Sequence, residues 1–151
     1  MNSTDDITKT HQTWNKSYML DISMIDNQHV KFFVLFDKLQ ELNNVENSND
    51  RIYEVIQELE KYTHNHFATE EALMRKAQAP DYELHVVQHK VFIAKIEDFK
   101  IAYNYNNSAL LEQMTIFMRK WFLMHISEID RKYVDPVKKY LTERESKNSA
   151  E

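Results

Sequence analysis

The chain of 151 residues contains no glycine, and this absence constrains its fold more than any other feature of the sequence. Phosphate-binding loops and dinucleotide fingerprints need glycine, and so do most tight hairpin turns. The sequence therefore argues against P-loop, dinucleotide-binding and hairpin-rich folds. A chain of this length can bury a core of its own, and we predict a single domain over residues 1–151.

Apolar residues recur at alternating steps of three and four along four segments, which places them on one face of an α-helix in each segment. Short polar stretches separate the segments. Because helices joined by short loops pack antiparallel to one another, the pattern predicts an all-α fold, an up-down-up-down four-helix bundle. The predicted helices cover residues 26–43, 50–77, 81–104 and 109–134.

The two ends of the chain lack this pattern. Residues 1–24 contain Trp14 and Ile22 without a sustained helical period, and we predict an extended N-terminal arm packed on the bundle. Pro136 is expected to interrupt the chain, because proline removes a backbone donor and clashes with the preceding helical turn. The prediction there is a short C-terminal helix over about residues 137–144, followed by a charged tail.

Charge and cysteine content limit the partners. The net charge is −5, and the 19 basic residues are spread among 24 acidic ones, so we expect no nucleic-acid partner. The chain has no cysteine, which rules out disulfides, iron–sulfur clusters and thiolate zinc sites and agrees with a reducing compartment. No apolar segment approaches the roughly 18 residues of a membrane span, and the first residues do not resemble a leader. We expect a cytoplasmic monomer with no membrane span.

Five of the seven histidines interrupt the apolar stripes on the side that should face the core. His85 and His89 are four residues apart, which points both imidazoles at one spot. His66 and Glu70 share this spacing on the preceding helix. The candidate set comprises five imidazoles and two carboxylates: His29, His66, Glu70, His85, His89, His125 and Asp130. Because buried polar groups are costly without partners, this convergence predicts a metal site.

The composition of the set limits the type of metal site. Imidazole and carboxylate ligands suit iron, manganese, copper or zinc. Seven ligands are too many for one tetrahedral ion and suit two ions that share bridging carboxylates. The segment "HVVQH" lacks the glutamate of the zinc-protease motif, and no histidine has a glutamate three residues before it, as ferritin-like di-iron proteins require.

Asp130 lies five residues after His125, and this spacing does not suit a regular α-helix. Five residues turn the helix by about 500°, which leaves the two side chains about 140° apart. A π-turn would bring them closer to one face, and such turns often occur at functional sites. We therefore predict a local widening or kink between His125 and Tyr133.

The segment "HNHFATEE" can be divided by the same geometry. His66 and Glu70 share the core-facing side of their helix. His64 is rotated about 200° from His66 and should point outward. Glu71 is expected to point outward as well. The pair His64 and Glu71 is thus predicted to lie on the surface, outside the metal site.

With these motifs in place, the sequence resembles the hemerythrin family, particularly its single-domain bacterial members. The resemblance runs from Trp14 through Tyr133 and rests on "IDNQH", "HFATEE", "HVVQH" and "MHISEID" in this order. It implies a bundle with two iron ions per chain, and dioxygen as the partner. One iron would be bound by His85, His89 and His125 and the other by His29 and His66, with Glu70, Asp130 and an oxo or hydroxo group as bridges.

The resemblance also implies a dry dioxygen pocket beside the iron with fewer imidazoles. By their position relative to the ligands, four residues are candidates for its walls: Phe32, Trp121, Phe122 and Ile126. The position of Phe32 often carries a smaller aliphatic residue in the family. We expect Phe32 to narrow the pocket and to slow both ligand entry and autoxidation.

Three classes of function remain open from the sequence. The first is reversible dioxygen binding for transport, storage or scavenging, without enzymatic turnover. The second is a di-iron enzyme on the same ligands, a peroxide or nitric oxide reductase or a ferroxidase. An oxygen or redox sensor would usually be joined to an output domain, for which this chain has no room. The third class is a structural bundle with an accidental histidine cluster.

Overall fold

The computed structural model describes residues 16–44 and 49–150 and confirms an all-α four-helix bundle. Its four bundle helices are α1 (Ser23–Glu41), α2 (Asn49–Lys76), α3 (Tyr82–Asn104) and α4 (Leu110–Met124), and a fifth helix, α5 (Val134–Ala150), follows them. Each of α1 to α4 turns buried apolar residues at three- and four-residue steps toward a shared core.

The core has two parts. The larger fills the bundle with apolar side chains from α1 to α4, among them Phe36, Ile56 and Met114. The smaller lies where α5 and the N-terminal segment meet the bundle, and it includes Ile25 and Val137. All seven candidate ligands are buried as well, and the other buried polar residues of the described chain are Asp26 and Thr63.

The chain end differs from the sequence prediction. Instead of a short helix over residues 137–144, α5 runs from Val134 to Ala150. Pro136 does not interrupt it, because this residue lies in the first turn, where backbone amides have no acceptor within the helix. The prediction of a break at Pro136 was therefore wrong.

The N-terminal segment is partly described. A short 3-10 turn covers Lys16–Tyr18, and Leu20 is buried, its amide donating to Asp26 Oδ1 at 2.7 Å. Residues 23 and 24, predicted as arm, belong to α1. The rest of the predicted arm, residues 1–15, lies outside the described residues. None of the helices in the described part of the chain has the length and apolar composition needed to cross a bilayer.

Candidate metal centre

All seven predicted ligand residues are buried and meet inside the bundle. α1 carries His29, α2 carries two of them, α3 carries two, and the segment after α4 carries the last two. Donor atoms of six of the seven, all but Asp130, form two groups, and within each group the atoms lie within 4.8 Å of one another. We call them the three-imidazole half (Glu70, His85, His89 and His125) and the two-imidazole half (His29, His66 and Glu70).

Two carboxylates join the halves. Glu70 belongs to both groups, with Oε1 2.6 Å from His66 Nε2 and 3.8 Å from His89 Nε2. Asp130 belongs to neither group but has imidazoles of both halves close to it. Its Oδ2 lies 3.1 Å from His29 Nε2, and its Oδ1 lies 3.0 Å from His125 Nε2. Each of the two carboxylates thus lies between imidazole nitrogens of both halves.

The buried polar atoms show that this arrangement fits a metal centre. Both carboxylate oxygens of Glu70 and of Asp130 are buried without a hydrogen-bond partner among the described residues, although imidazoles lie close to them. Ring nitrogens of His29, His66 and His89 are in the same condition. Leaving so many buried donors and acceptors unsatisfied is costly, and metal ions would satisfy them together. A nitrogen and oxygen donor set of this composition suits iron.

The protonation states of the ligands agree with metal binding. Burial, together with the neighbouring His125 and His85, lowers the pKa of His89 to about 2, so its imidazole is neutral with a free lone pair. Burial opposes ionisation of Asp130, yet the imidazoles of His125, His29 and His85 hold the pKa of its carboxyl well below the usual range. Neutral imidazole and ionised carboxylate are the forms that coordinate metals.

The predicted widening after His125 is confirmed. Residues His125–Ile129 form a π-turn, and the amide of Asp130 donates to the carbonyl of His125, five residues back. A 3-10 turn then leads to Tyr133. The wider turn brings Asp130 onto the side of the helix where His125 lies, with Oδ1 3.0 Å from His125 Nε2.

Two side chains hold ligand histidines from behind, and sequence reasoning missed both roles. Gln28 Oε1 lies 2.6 Å from His66 Nδ1, and Glu71 Oε2 lies 3.2 Å from His89 Nδ1. A metal-bound imidazole keeps its proton on the other ring nitrogen, so each Nδ1 would donate to the facing oxygen.

The outward prediction for Glu71 was therefore wrong, whereas that for His64, which is exposed, is confirmed. The side chain of Glu71 is only 26% exposed and reaches sideways to α3. Burial, followed by the charge of Glu70, raises the pKa of its carboxyl. The one signal in the sequence was adjacency, since Gln28 precedes His29 and Glu71 follows Glu70.

Aromatic rings surround the imidazoles. Trp121 stacks on His125 with ring centroids 4.3 Å apart, and Phe122 meets His29 edge to face at 5.6 Å. Phe32 stacks on Phe122, and Ile126 is fully buried. Of the four predicted wall residues, the half-buried Trp121 and the buried Phe122 thus contact imidazoles, and Phe32 packs on Phe122.

Three further aromatic side chains contact ligands and were not predicted. Phe67 stacks on His89 with ring centroids 3.9 Å apart, Tyr62 stacks on His66 at 5.4 Å, and Tyr133 stacks on His85 at 5.6 Å. Burial, followed by the charges of Glu70 and Asp130, raises the pKa of both tyrosines well above its ordinary value. Periodicity marks these residues only as core, because an aromatic ring fills a stripe in the same way beside a ligand or away from one.

The comparisons with known proteins agree with this geometry. The model of the hemerythrin HHE cation binding domain matches residues 20–136. A bacteriohemerythrin of Clostridium acetobutylicum is 33% identical over 126 residues, covering 81% of this chain and 98% of that relative. A hemerythrin chain of Sipunculus nudus is 30% identical over 120 residues, covering 80% of this chain and 88% of that relative.

A solved structure shares the fold. The crystal structure of a wild-type hemerythrin superposes with a TM-score of 0.75 at 24% identity, covering 83% of this chain and 96% of that chain. Family model, relatives and fold point the same way, and the chain belongs to the hemerythrin family.

Proposed function

We propose that the protein binds dioxygen reversibly at a non-haem di-iron centre and serves in oxygen transport, storage or scavenging. The observation that carries the proposal is the pair of donor groups that share Glu70 and have Asp130 between them. In this assignment His85, His89 and His125 would hold one iron, and His29 and His66 would hold the other. Glu70 and Asp130 would be shared between the two ions, together with a solvent-derived oxo or hydroxo group.

When bound, the two ferrous ions supply the electrons that reversible dioxygen binding requires. The two halves differ by one imidazole, which leaves the two-imidazole half one donor short. Dioxygen would therefore be accommodated on the side of His29 and His66. Phe122, which meets His29 edge to face, forms one wall of this side.

The protein's own contribution is to exclude water and to hold the ligands. Phe32, Phe122 and Ile126 are almost completely buried, and Phe122 presents its ring to His29 of the two-imidazole half. A dry site protects the reduced centre, because water and protons favour irreversible oxidation. Gln28 and Glu71 hold His66 and His89 in the orientation that a ligand needs.

Binding without turnover is the function that we place first, and a di-iron enzyme on the same ligands is the alternative. An anaerobic-to-aerobic optical titration, with iron quantified on the same sample, separates them. We expect a spectrum that forms with dioxygen and disappears on deoxygenation. Irreversible oxidation with turnover of peroxide or nitric oxide would instead support the enzyme, and iron content below one ion per chain would support a structural bundle.

A matched pair of variants tests the ligand assignment. His66→Ala removes a buried imidazole of the two-imidazole half and should abolish reversible dioxygen binding and lower the iron content. His64→Ala removes an exposed imidazole two residues away on the same helix and should change neither property. Equal behaviour of the two variants would contradict the assignment.

A further inference from the structure

A groove runs along the outside of the bundle between α1 and α2, and the ligand residue His66 is among the residues that line it. Its volume is about 380 Å³, within the range of small-molecule binding sites. At each end of the groove, a side chain of α1 contacts a side chain of α2. Gln28 faces His66 at one end, and Lys38 pairs with Glu58 at the other. Ten residues of α1 separate Gln28 from Lys38, so the groove is about 15 Å long.

The charge of the groove is opposite to that of the protein. The chain has a net charge of −5, but the groove is lined by three lysines and one glutamate. Lys38 is paired with Glu58 at 3.2 Å. Lys31 and Lys61 form no ion pair with any described residue, and both are exposed. Two uncompensated ammonium groups therefore face the same concave surface from opposite helices, a feature that attracts an anion.

The floor between these lysines is apolar and partly aromatic. Val34 and Leu35 of α1 lie there, opposite the half-buried ring of Tyr62 on α2. This ring has its edge fixed, since its hydroxyl donates to the carbonyl of Gln28. A rigid aromatic and aliphatic floor under two cations suits a molecule with a flat apolar body and an anionic group.

We propose that this groove binds a small aromatic anion. Its ring system lies on Val34, Leu35 and Tyr62, and its phosphate or carboxylate lies between Lys31 and Lys61. His66 lines the groove beside the ring of Tyr62, which stacks on that imidazole with ring centroids 5.4 Å apart. The site therefore adjoins the two-imidazole half directly, while the residues proposed to hold the occupant are not ligands of that half.

Three probes divide the proposed ligand into its parts. Flavin mononucleotide carries a flat ring system and a phosphate, riboflavin carries the ring system alone, and inorganic phosphate carries the anion alone. Titration of the full-length protein, followed by flavin fluorescence, should show saturable binding of flavin mononucleotide. We expect its affinity to exceed that of riboflavin by about tenfold or more, because the charge-assisted hydrogen bonds to lysine are lost without the phosphate. Phosphate alone should compete only weakly.

A matched pair of double variants tests the lysines. Lys31→Gln with Lys61→Gln should lower the affinity for flavin mononucleotide by about tenfold or more. Lys120→Gln with Lys139→Gln removes the same charge from exposed positions on α4 and α5 and should leave the affinity unchanged. Glutamine is as good a helix former as lysine, so both variants should fold, which circular dichroism checks.

Three results would overturn the proposal: no saturable binding of flavin mononucleotide, riboflavin binding of equal strength, or equal affinity of the two double variants. The fluorescence readout does not depend on dioxygen. Failure here is therefore distinguishable from failure of the proposed di-iron function, which iron content and the optical titration decide.

Discussion

The two halves of the metal centre are built from the same kinds of side chain but are supported differently. In the three-imidazole half, His89 has a carboxylate behind it, that of Glu71. In the two-imidazole half, His66 has the neutral amide of Gln28. A carboxylate acceptor makes an imidazole a stronger donor to its metal than an amide does. The two sites are therefore electronically unequal before any difference in ligand number is considered.

The rings around the two halves differ as well. Trp121, which stacks on His125 of the three-imidazole half, is half-buried, whereas Phe122, which meets His29 of the other half, is fully buried. The ring beside His29 is thus more deeply buried than the ring beside His125. An apolar, buried ring at that position would help to keep water from an ion held by His29.

The greatest loss of iron should come from removing the charge of the carboxylate that both halves share. Glu70→Gln keeps the size of the side chain but removes the charge, and we expect loss of iron from both halves. Metal analysis of the purified variant provides the measurement. Glu60→Gln, which removes an exposed charge from the same helix, is the control and should retain its iron. Retention of two irons by Glu70→Gln would contradict a shared carboxylate.

A more moderate loss of iron affinity is expected from replacing the side chains that accept hydrogen bonds from the ligand imidazoles. Glu71→Leu should weaken iron binding in the three-imidazole half by about 10- to 100-fold, the usual effect of losing such a hydrogen bond. Gln28→Leu should do the same for the other half. Competition with a chelator, followed optically, measures both affinities.

Glu71→Gln is the control for that pair, because it keeps an acceptor for His89 and should lose less affinity than Glu71→Leu. If Glu71→Leu bound iron as tightly as the unmodified protein, the charge and the hydrogen bond of Glu71 would have no part in holding the metal.

The next prediction concerns the aromatic wall beside the two-imidazole half. Phe32→Leu should open space beside Phe122, against which the Phe32 ring stacks. We expect dioxygen association and autoxidation to become severalfold faster, as stopped-flow and optical measurements would show. Phe99→Leu removes the same volume from a buried position that packs on Phe117, and it should cost similar stability without changing either rate. Unchanged rates in Phe32→Leu would refute the predicted narrowing.

The mildest change tests whether the helices that carry the two halves can be stabilised without altering the centre. Gln78 follows α2 with φ 51°, and Asn106 follows α3 with φ 55°. Glycine adopts this left-handed conformation without strain, and asparagine tolerates it better than glutamine does. Gln78→Gly should therefore raise the free energy of unfolding by up to about 1 kcal/mol and Asn106→Gly by less.

Thermal or denaturant unfolding measures this gain, and the optical spectrum should be unchanged in both variants. A loss of stability in Gln78→Gly would mean that its side chain has a stabilising role that offsets the backbone strain.

Much of this arrangement could be predicted because a helix bundle turns sequence spacing directly into position. The steps of three and four placed His66 and Glu70 on one buried face, and the odd spacing of Asp130 indicated a π-turn. Helical periodicity did not predict the role of side chains that lie at the boundary between two helices, neither in the core nor fully in solvent. Glu71 and Gln28 lie at the seams between helices, where a long side chain can reach sideways to a ligand on the next helix.

The end of the chain could not be predicted from the same rule. Proline breaks a helix only when its missing amide and its ring fall in the interior, and Pro136 lies in the first turn of α5. Locating that turn requires the end of the 3-10 turn at Tyr133, which follows from the π-turn and not from local preference.

The π-turn has a consequence for the phase of the helix that follows it. It places one more residue between His125 and Asp130 than an α-helical turn would, so everything after it is rotated by about 100° relative to an uninterrupted helix. Tyr133 and Val137 are buried in that shifted phase. Deleting one residue between positions 126 and 129 would leave the bundle upstream unchanged. Because it would also turn the π-turn into an α-helical turn, both of these side chains would still face the smaller core.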